Sequence, residues 1–332
     1  MNKILHIVVE TGSLAGGVRV IGELANRLTD RGWKVSIWSV NPRKTIEWFK
    51  LSSLVEWNSF YRAGTVADYD QLADVLKKQA GFKLATFWRT AFAVQYAAGP
   101  GEGLYLIQDI ETSYTSQPLV AAEVMRTYAM GFRHLTTSKW VKSQLDCEYI
   151  GIGIDNYWKR LDKFKREKWP LACARVQALK GWPELCEAAR YLDRQNYFLH
   201  TYGMNKHHMV ARHEHHHPGG PMGDKELRVL YNTAGVFIST SRHEGFSLTP
   251  LEAALCGCPA VLTPADGNLE YISDGENCLL ATTPQEVSEK AVEILKDRVL
   301  GEKLARSLEK RAQEYRWPEV VNRLEAALLG PA

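Results

Sequence analysis

Ser241-Arg-His-Glu-Gly-Phe-Ser-Leu-Thr-Pro-Leu-Glu252 carries two carboxylates, Glu244 and Glu252, separated by seven residues around a helix start. Thr249 reads as the N-cap, Pro250 as the first helical residue and Glu252, three past the cap, as the far side of a capping box. Gly257 ends this short helix ahead of the apolar strand Ala260-Val-Leu-Thr263, and the strand Gly235-Val-Phe-Ile-Ser-Thr240 precedes it. Unpaired N–H groups at Leu248, Thr249 and the first turn, with the positive end of the helix dipole, suit an anion such as a diphosphate. Taken alone, the same residues also fit a helix that is merely capped, with Glu244 a solvated loop acid.

Outward from this stretch the chain alternates strands and helices, the pattern of parallel α/β layers. Lys3 to Val9 reads as a buried strand, followed by the loop Glu10 to Gly17 and a helix with Val18, Ile21, Leu24, Ala25 and Leu28 on one face, stopped by Gly32. Lys34 to Val40, Leu84 to Trp88 and Gly103 to Ile107 read as further strands of that sheet. After Gly151-Ile-Gly-Ile-Asp155 comes the basic stretch Lys159 to Lys168, and a second alternation runs from Leu171-Ala-Cys-Ala-Arg175 to about residue 310. Asp162 and Glu167 interrupt the basic stretch, which favours a solvated linker over a contact with an acidic membrane surface.

Composition narrows the function classes. The 332 residues suffice for two domains with their own cores, and 45% apolar with 24% charged residues is ordinary for a globular chain. A net charge of +3 is too small to argue for nucleic acid. The apolar run at the N-terminus ends at Glu10, too short for a signal peptide, and no run reaches the roughly 18 apolar residues of a membrane span. Six cysteines without repeated spacing read as buried free thiols of a cytosolic protein; Cys256 and Cys258 are too close for a zinc knuckle. The first loop lacks both the Gly-x-Gly-x-x-Gly and Walker patterns, and Val40 is followed by Asn41-Pro42 rather than a ribose-binding acid, which argues against a nicotinamide-dependent oxidoreductase.

The block from Glu244 to Pro259 resembles the Glu-x7-Glu signature of retaining nucleotide-sugar glycosyltransferases of family 4, the glycosyl transferases group 1. Arg175 and, five residues later, Lys180-Gly181 are similar to that family's Gly-Arg-Leu-x-x-x-Lys-Gly segment, with Ala174 where Gly is usual. The passages Leu84 to Ala91, Tyr105-Leu-Ile-Gln-Asp-Ile-Glu111 and Met130 to Ser138 are similar to a subgroup that includes bacterial rhamnosyltransferases, with Ile110 and Thr112 departing from its pattern. Glu314-Tyr-Arg-Trp317-Pro-Glu resembles the family's C-terminal crossover.

The resemblance implies a GT-B α/β fold: two Rossmann-like domains facing across a cleft, an acceptor domain over 1–150 with a crossover helix at 316–332, and a donor domain over 151–315. It implies transfer of a sugar from a UDP-, dTDP- or GDP-sugar to a saccharide or glycolipid hydroxyl, in polysaccharide or glycoconjugate synthesis, without a metal or other cofactor. Catalytic roles fall to Glu244, Asp109, Arg175 and Lys180, and donor contacts to Gly16, Gly17, Arg175, Lys180, His243, Glu244, Gly245, Phe246, Ser247, Leu248, Thr249 and Glu252. Where many members place a His against the donor sugar, this strand end offers Gln108, Asp109 and Glu111. Asp-Ile-Glu also resembles the manganese-binding motif of the other large glycosyltransferase fold, but the second-domain motifs belong to the metal-independent one. The histidines His207, His208, His213, His215, His216 and His217 read as an incidental loop tract. A cytoplasmic enzyme with an optional peripheral membrane contact is expected; a non-catalytic sugar-nucleotide-binding subunit is the alternative.

Overall fold

In the computed structural model the structure describes residues 3–10, 16–40, 50–59, 66–203, 217–218 and 222–330. Two compact units emerge, Met1–Gly153 with Trp317–Ala332, and Ile154–Arg316. Strands of the first unit are β1 (Ile4–Val9), β2 (Lys34–Ser39), β3 (Glu56–Ser59), β4 (Phe82–Ala85), β5 (Gly103–Ile107), β6 (Arg133–Thr136) and β7 (Glu148–Tyr149). They form one parallel sheet in the order β3-β2-β1-β4-β5-β6-β7. An apolar run such as Ile4–Val9, with no polar alternation, can be hidden only in a sheet covered on both faces. The covering helices are α1 (Gly16–Thr29), α2 (Val66–Lys77), α3 (Trp88–Ala97), α4 (Pro118–Tyr128), α5 (Lys139–Gln144) and the C-terminal Trp317–Leu329.

Local chemistry sets the boundaries. Gly32 at φ +81° ends α1, and the Leu28 carbonyl accepts from both Arg31 and Trp33 as the chain turns into β2. Val18 is only half-buried and Val20 takes the core-facing place. The expected strand over Leu84–Trp88 is corrected: β4 stops at Ala85 and Trp88 opens α3. The Thr90 hydroxyl accepts from Thr86 N and Phe87 N at 3.0 and 3.1 Å, and Glu111 Oε2 accepts from Trp88 N at 2.7 Å, so the helix start is satisfied there. The C-terminal helix is tied to this unit by Glu325, which meets Arg31 Nη1 at 2.6 Å and Trp33 Nε1 at 2.8 Å.

The second unit repeats the plan with β8 (Pro170–Cys173), β9 (His200–Tyr202), β10 (His217–Pro218), β11 (Val236–Ser239), β12 (Ala260–Leu262) and β13 (Leu279–Leu280). Its parallel order is β10-β9-β8-β11-β12-β13. Helices α6 (Trp182–Asp193), α7 (Asp224–Thr233), α8 (Thr249–Leu255), α9 (Pro284–Lys296) and α10 (Arg298–Ala312) flank it, and α11 is the Trp317–Leu329 helix above. Leu185, Leu192, Val236, Ile238, Val261 and Val287 are among the residues of its own core.

The linker reading of Lys159–Lys168 is also corrected. Arg166 donates to the carbonyls of Tyr231, Ala234 and Cys256, at and beyond the C-terminal ends of α7 and α8. Leu161 N reaches Asn232 Oδ1 at 2.7 Å and Glu167 N reaches the Thr233 carbonyl at 2.7 Å. A cation at helix C-termini satisfies carbonyls that no intrahelical donor can reach, so this segment is pinned to the unit.

Candidate functional site

In the second sheet the strand order reverses between β8 and β11, which lie side by side with Phe237 opposite Leu171. Ligands of open α/β sheets bind outside the carboxyl ends of the strands at such a reversal. The chain leaving β8 carries Arg175 and Lys180; the chain leaving β11 carries Ser241 to Ser247. The two segments are stitched together: Arg242 N and His243 N both donate to the Leu179 carbonyl, at 2.9 and 3.2 Å, and Thr240 Oγ1 donates to the Gly181 carbonyl at 2.9 Å. Gly181 sits at φ +63°, and a Cβ there would overlap the Thr240 carbonyl oxygen, so the approach requires glycine.

This stitching brings the expected charges into contact. Lys180 Nζ lies 2.9 Å from Glu244 Oε2 and 3.3 Å from the His243 carbonyl, while Glu244 Oε1 accepts from Ser241 Oγ at 2.8 Å. Arg175 is exposed as a residue, but its guanidinium is desolvated; the Cys173 sulfur first, and then Glu244, hold it further toward its charged form against that desolvation. Two cations thus stand with the Glu244 carboxylate at the strand ends. Arg175, Lys180 and Glu244 therefore form one group.

A second loop grips the Glu244 loop from behind. His243 Nδ1 meets Asp266 Oδ2 at 2.7 Å, and Gly267 N donates to the Glu244 carbonyl at 2.9 Å. A Cβ on Gly267 would overlap the Gly245 carbonyl. Ser247 takes φ +74°, unusual without glycine, and its carbonyl accepts from Tyr271 Oη at 2.9 Å. Phe246 is buried against Tyr271 and Tyr315, ring centroids 5.3 and 5.0 Å away.

The capping box is corrected. Leu248 is the N-cap, Thr249 is already helical, and the Leu248 side chain makes no cap hydrogen bond. Pro250 stands in the first turn as expected. Glu252 is buried instead, and its charge acts on the hydroxyls of Tyr202 and Tyr231, themselves 2.5 Å apart.

Gly16, Gly17 and Asp109 belong to the first unit. Gly17 lies against Gln108, whose Nε2 donates to the Gly17 carbonyl at 3.3 Å. Asp109 accepts from Ile110 N at 2.8 Å and from the Tyr114 hydroxyl. Glu111 is deeply buried; burial pushes its carboxyl up to about 8, with Asp109 and Glu10 adding to the rise, against hydrogen bonds from Tyr105 Oη at 2.8 Å and Trp88 N. Of the histidine tract, residues 207–216 lie outside the described residues. Among the described residues no three His, Cys, Asp or Glu side chains gather as metal ligands. No described helix is long and apolar enough to cross a membrane.

Sequence reasoning missed Asp266, Gly267 and Tyr271. Asp-Gly-Asn over 266–268 is turn chemistry and could have marked a loop, whereas nothing local marks Tyr271 as the partner of Ser247.

Comparison with known proteins bears on the fold and the family. Residues 154–315 match the family described as Glycosyl transferases group 1. A probable sucrose-phosphate synthase of Thermosipho melanesiensis is 39% identical over 98 residues, 28% of this chain and 22% of that protein. The N,N'-diacetylbacillosaminyl-diphospho-undecaprenol alpha-1,3-N-acetylgalactosaminyltransferase of Campylobacter jejuni is 29% identical over 206 residues, 58% of this chain and 54% of that protein. The match thus spans about half or less of these two relatives. Anabaena HepE, solved with UDP and glucose, superimposes with a TM-score of 0.80 at 16% identity, covering 100% of both chains. The chain has the GT-B α/β fold, and its residues 154–315 match the glycosyl transferases group 1 model.

Proposed function

We propose that the protein moves a sugar from a nucleoside-diphosphate sugar to an acceptor hydroxyl, with retention of configuration and without a metal. The observation that carries the reading is the Lys180–Glu244 pair with Arg175 beside it at the carboxyl ends of β8 and β11. As the bond from sugar to diphosphate breaks, negative charge grows on the leaving group. Lys180 already spends N–H bonds on Glu244 and the His243 carbonyl, so it is oriented before the donor arrives. Preorganised cations aimed at developing charge stabilise the transition state more than the ground state. Glu244 contacts the donor sugar, Glu252 holds the ribose side, Gly16 and Gly17 at the start of α1 meet the donor, Asp109 takes a catalytic role, and the first unit receives the acceptor. The solved neighbour bound to UDP and glucose and the relative that acts on an undecaprenol-linked saccharide support a UDP-type donor and a saccharide or glycolipid acceptor. dTDP- and GDP-sugars remain within the same reading, as does a product destined for polysaccharide or glycoconjugate synthesis.

The test is release of nucleoside diphosphate from a panel of UDP-, dTDP- and GDP-sugars, with and without saccharide acceptors. Transfer should persist in EDTA. Arg175→Ala and Lys180→Ala should each lower turnover by about 10- to 1000-fold if they act as oxyanion donors do. Nucleotide binding without any turnover across the panel would reduce the chain to a sugar-nucleotide-binding subunit. Loss of activity in EDTA with recovery in manganese would contradict the metal-free mechanism.

A further inference from the structure

The loop carrying Glu244 does not hold its own shape. Ser247 is left-handed, a conformation that a non-glycine residue keeps only where its surroundings impose it. One contact that holds it is the hydrogen bond from Tyr271 Oη to the Ser247 carbonyl at 2.9 Å. Tyr271 is itself immobilised: its ring is buried, its carbonyl accepts from Asn277 Nδ2 at 2.7 Å, and the neighbouring Glu270 carbonyl accepts from Arg311 at 2.8 Å. The same ring stands 5.3 Å from Phe246 and 6.3 Å from Tyr315, and Phe246 packs edge-on against Tyr315. The Tyr315 carbonyl accepts from Ile154 N at 3.1 Å. Ile154 is the first residue of the second unit and Tyr315 is its penultimate one. The three rings therefore run from the donor loop to the place where the chain enters and leaves this unit.

We propose that Tyr271 is a positioning residue of the donor site: its hydroxyl fixes the Ser247 turn that aims Glu244, and its ring, with Phe246 and Tyr315, couples that turn to the Ile154–Tyr315 hydrogen bond. The proposal rests on the donor-site reading above. Occupancy of the site by a nucleoside diphosphate tightens the Ser247 turn, and the packed rings pass that tightening to Ile154.

The experiment uses the whole chain as wild type, Tyr271→Phe, Ser247→Gly, the double variant, and Tyr191→Phe on α6 as a control. UDP, dTDP and GDP are each tested for thermal stabilisation, and the best is used in titrations and in amide hydrogen exchange at Ile154. Tyr271→Phe keeps the ring and removes one hydroxyl. It should bind the nucleotide about 5- to 10-fold more weakly, as loss of one hydrogen bond predicts, and lose nucleotide-induced protection at Ile154, with a drop in the nucleotide-free midpoint no larger than that one bond accounts for. Glycine adopts the left-handed turn unaided, so Tyr271→Phe should cost less than about twofold in the Ser247→Gly background. A purely structural tyrosine would instead lower the melting midpoint and leave affinity unchanged. If nucleotide stabilises wild type but Tyr271→Phe binds it equally well, the proposal fails while the donor site stands. If no nucleoside diphosphate stabilises wild type, the donor-site reading fails and takes the proposal with it. Should Tyr271→Phe not fold, wild-type exchange decides: protection of Ile154 on nucleotide binding supports the coupling, and unchanged exchange overturns it.

Discussion

Glu111 is the residue whose chemistry departs furthest from its sequence appearance. In Asp-Ile-Glu it reads as one of the acids at a strand end, yet it is buried, and its carboxyl is pushed from 4.5 to about 8 by desolvation first. The native state thus keeps a proton that the unfolded chain releases, so between about pH 4.5 and 8 stability falls as pH rises; below 4.5 the contribution is fully present. Glu111→Gln should flatten that slope, measured as urea midpoints of both proteins from pH 5 to 8.5, and equal slopes would contradict the burial argument. The sequence marked Arg175, Lys180 and Glu244 through the resemblance of their motifs, and the structure places Lys180 against Glu244 with Arg175 beside them. It hid the burial of Glu111 and Glu252, since burial is decided by Tyr105, Tyr128, Tyr202 and Tyr231, which are distant or separate in the chain.

At the scale of elements, most strands were legible because parallel sheets covered on both faces need apolar runs such as Ile4–Val9 and Val236–Ser239. The starts of α3 and α8 were not, because each is decided by a partner outside the local pattern: Glu111 for Trp88, and Tyr271 for the Ser247 turn. The basic segment at Lys159–Lys168 shows the same limit, since its composition says solvated while one of its cations closes helix ends. Arg166→Ala should destabilise the second unit by about 2 to 3 kcal/mol, because charge-assisted hydrogen bonds to three carbonyls disappear. Lys165→Ala, in the same segment but exposed, should change stability by less than about 0.5 kcal/mol. Chemical denaturation of the two variants separates these outcomes. Gly181→Ala should be still more harmful, by about 2 to 4 kcal/mol, as a left-handed turn and a blocked backbone approach coincide.

For the whole molecule, two units with separate apolar cores are expected to unfold as two cooperative blocks rather than one. A ligand held by Arg175, Lys180 and Glu244 should therefore raise only the transition of the second unit, by an amount that grows with its concentration. Arg166→Ala should lower that same transition, which identifies it independently of any ligand. Scanning calorimetry with and without nucleotide distinguishes this from a single transition shifting as a whole. The central claim is that the second unit binds a nucleoside diphosphate through these side chains, and calorimetric titration of UDP, dTDP and GDP into wild type and Lys180→Ala tests it most directly. Saturable one-to-one binding of at least one nucleotide, weakened about tenfold or more by Lys180→Ala, is the predicted result, given charge-assisted hydrogen bonds of typical strength. Absence of binding by all three, or binding that Lys180→Ala leaves unchanged, would contradict it.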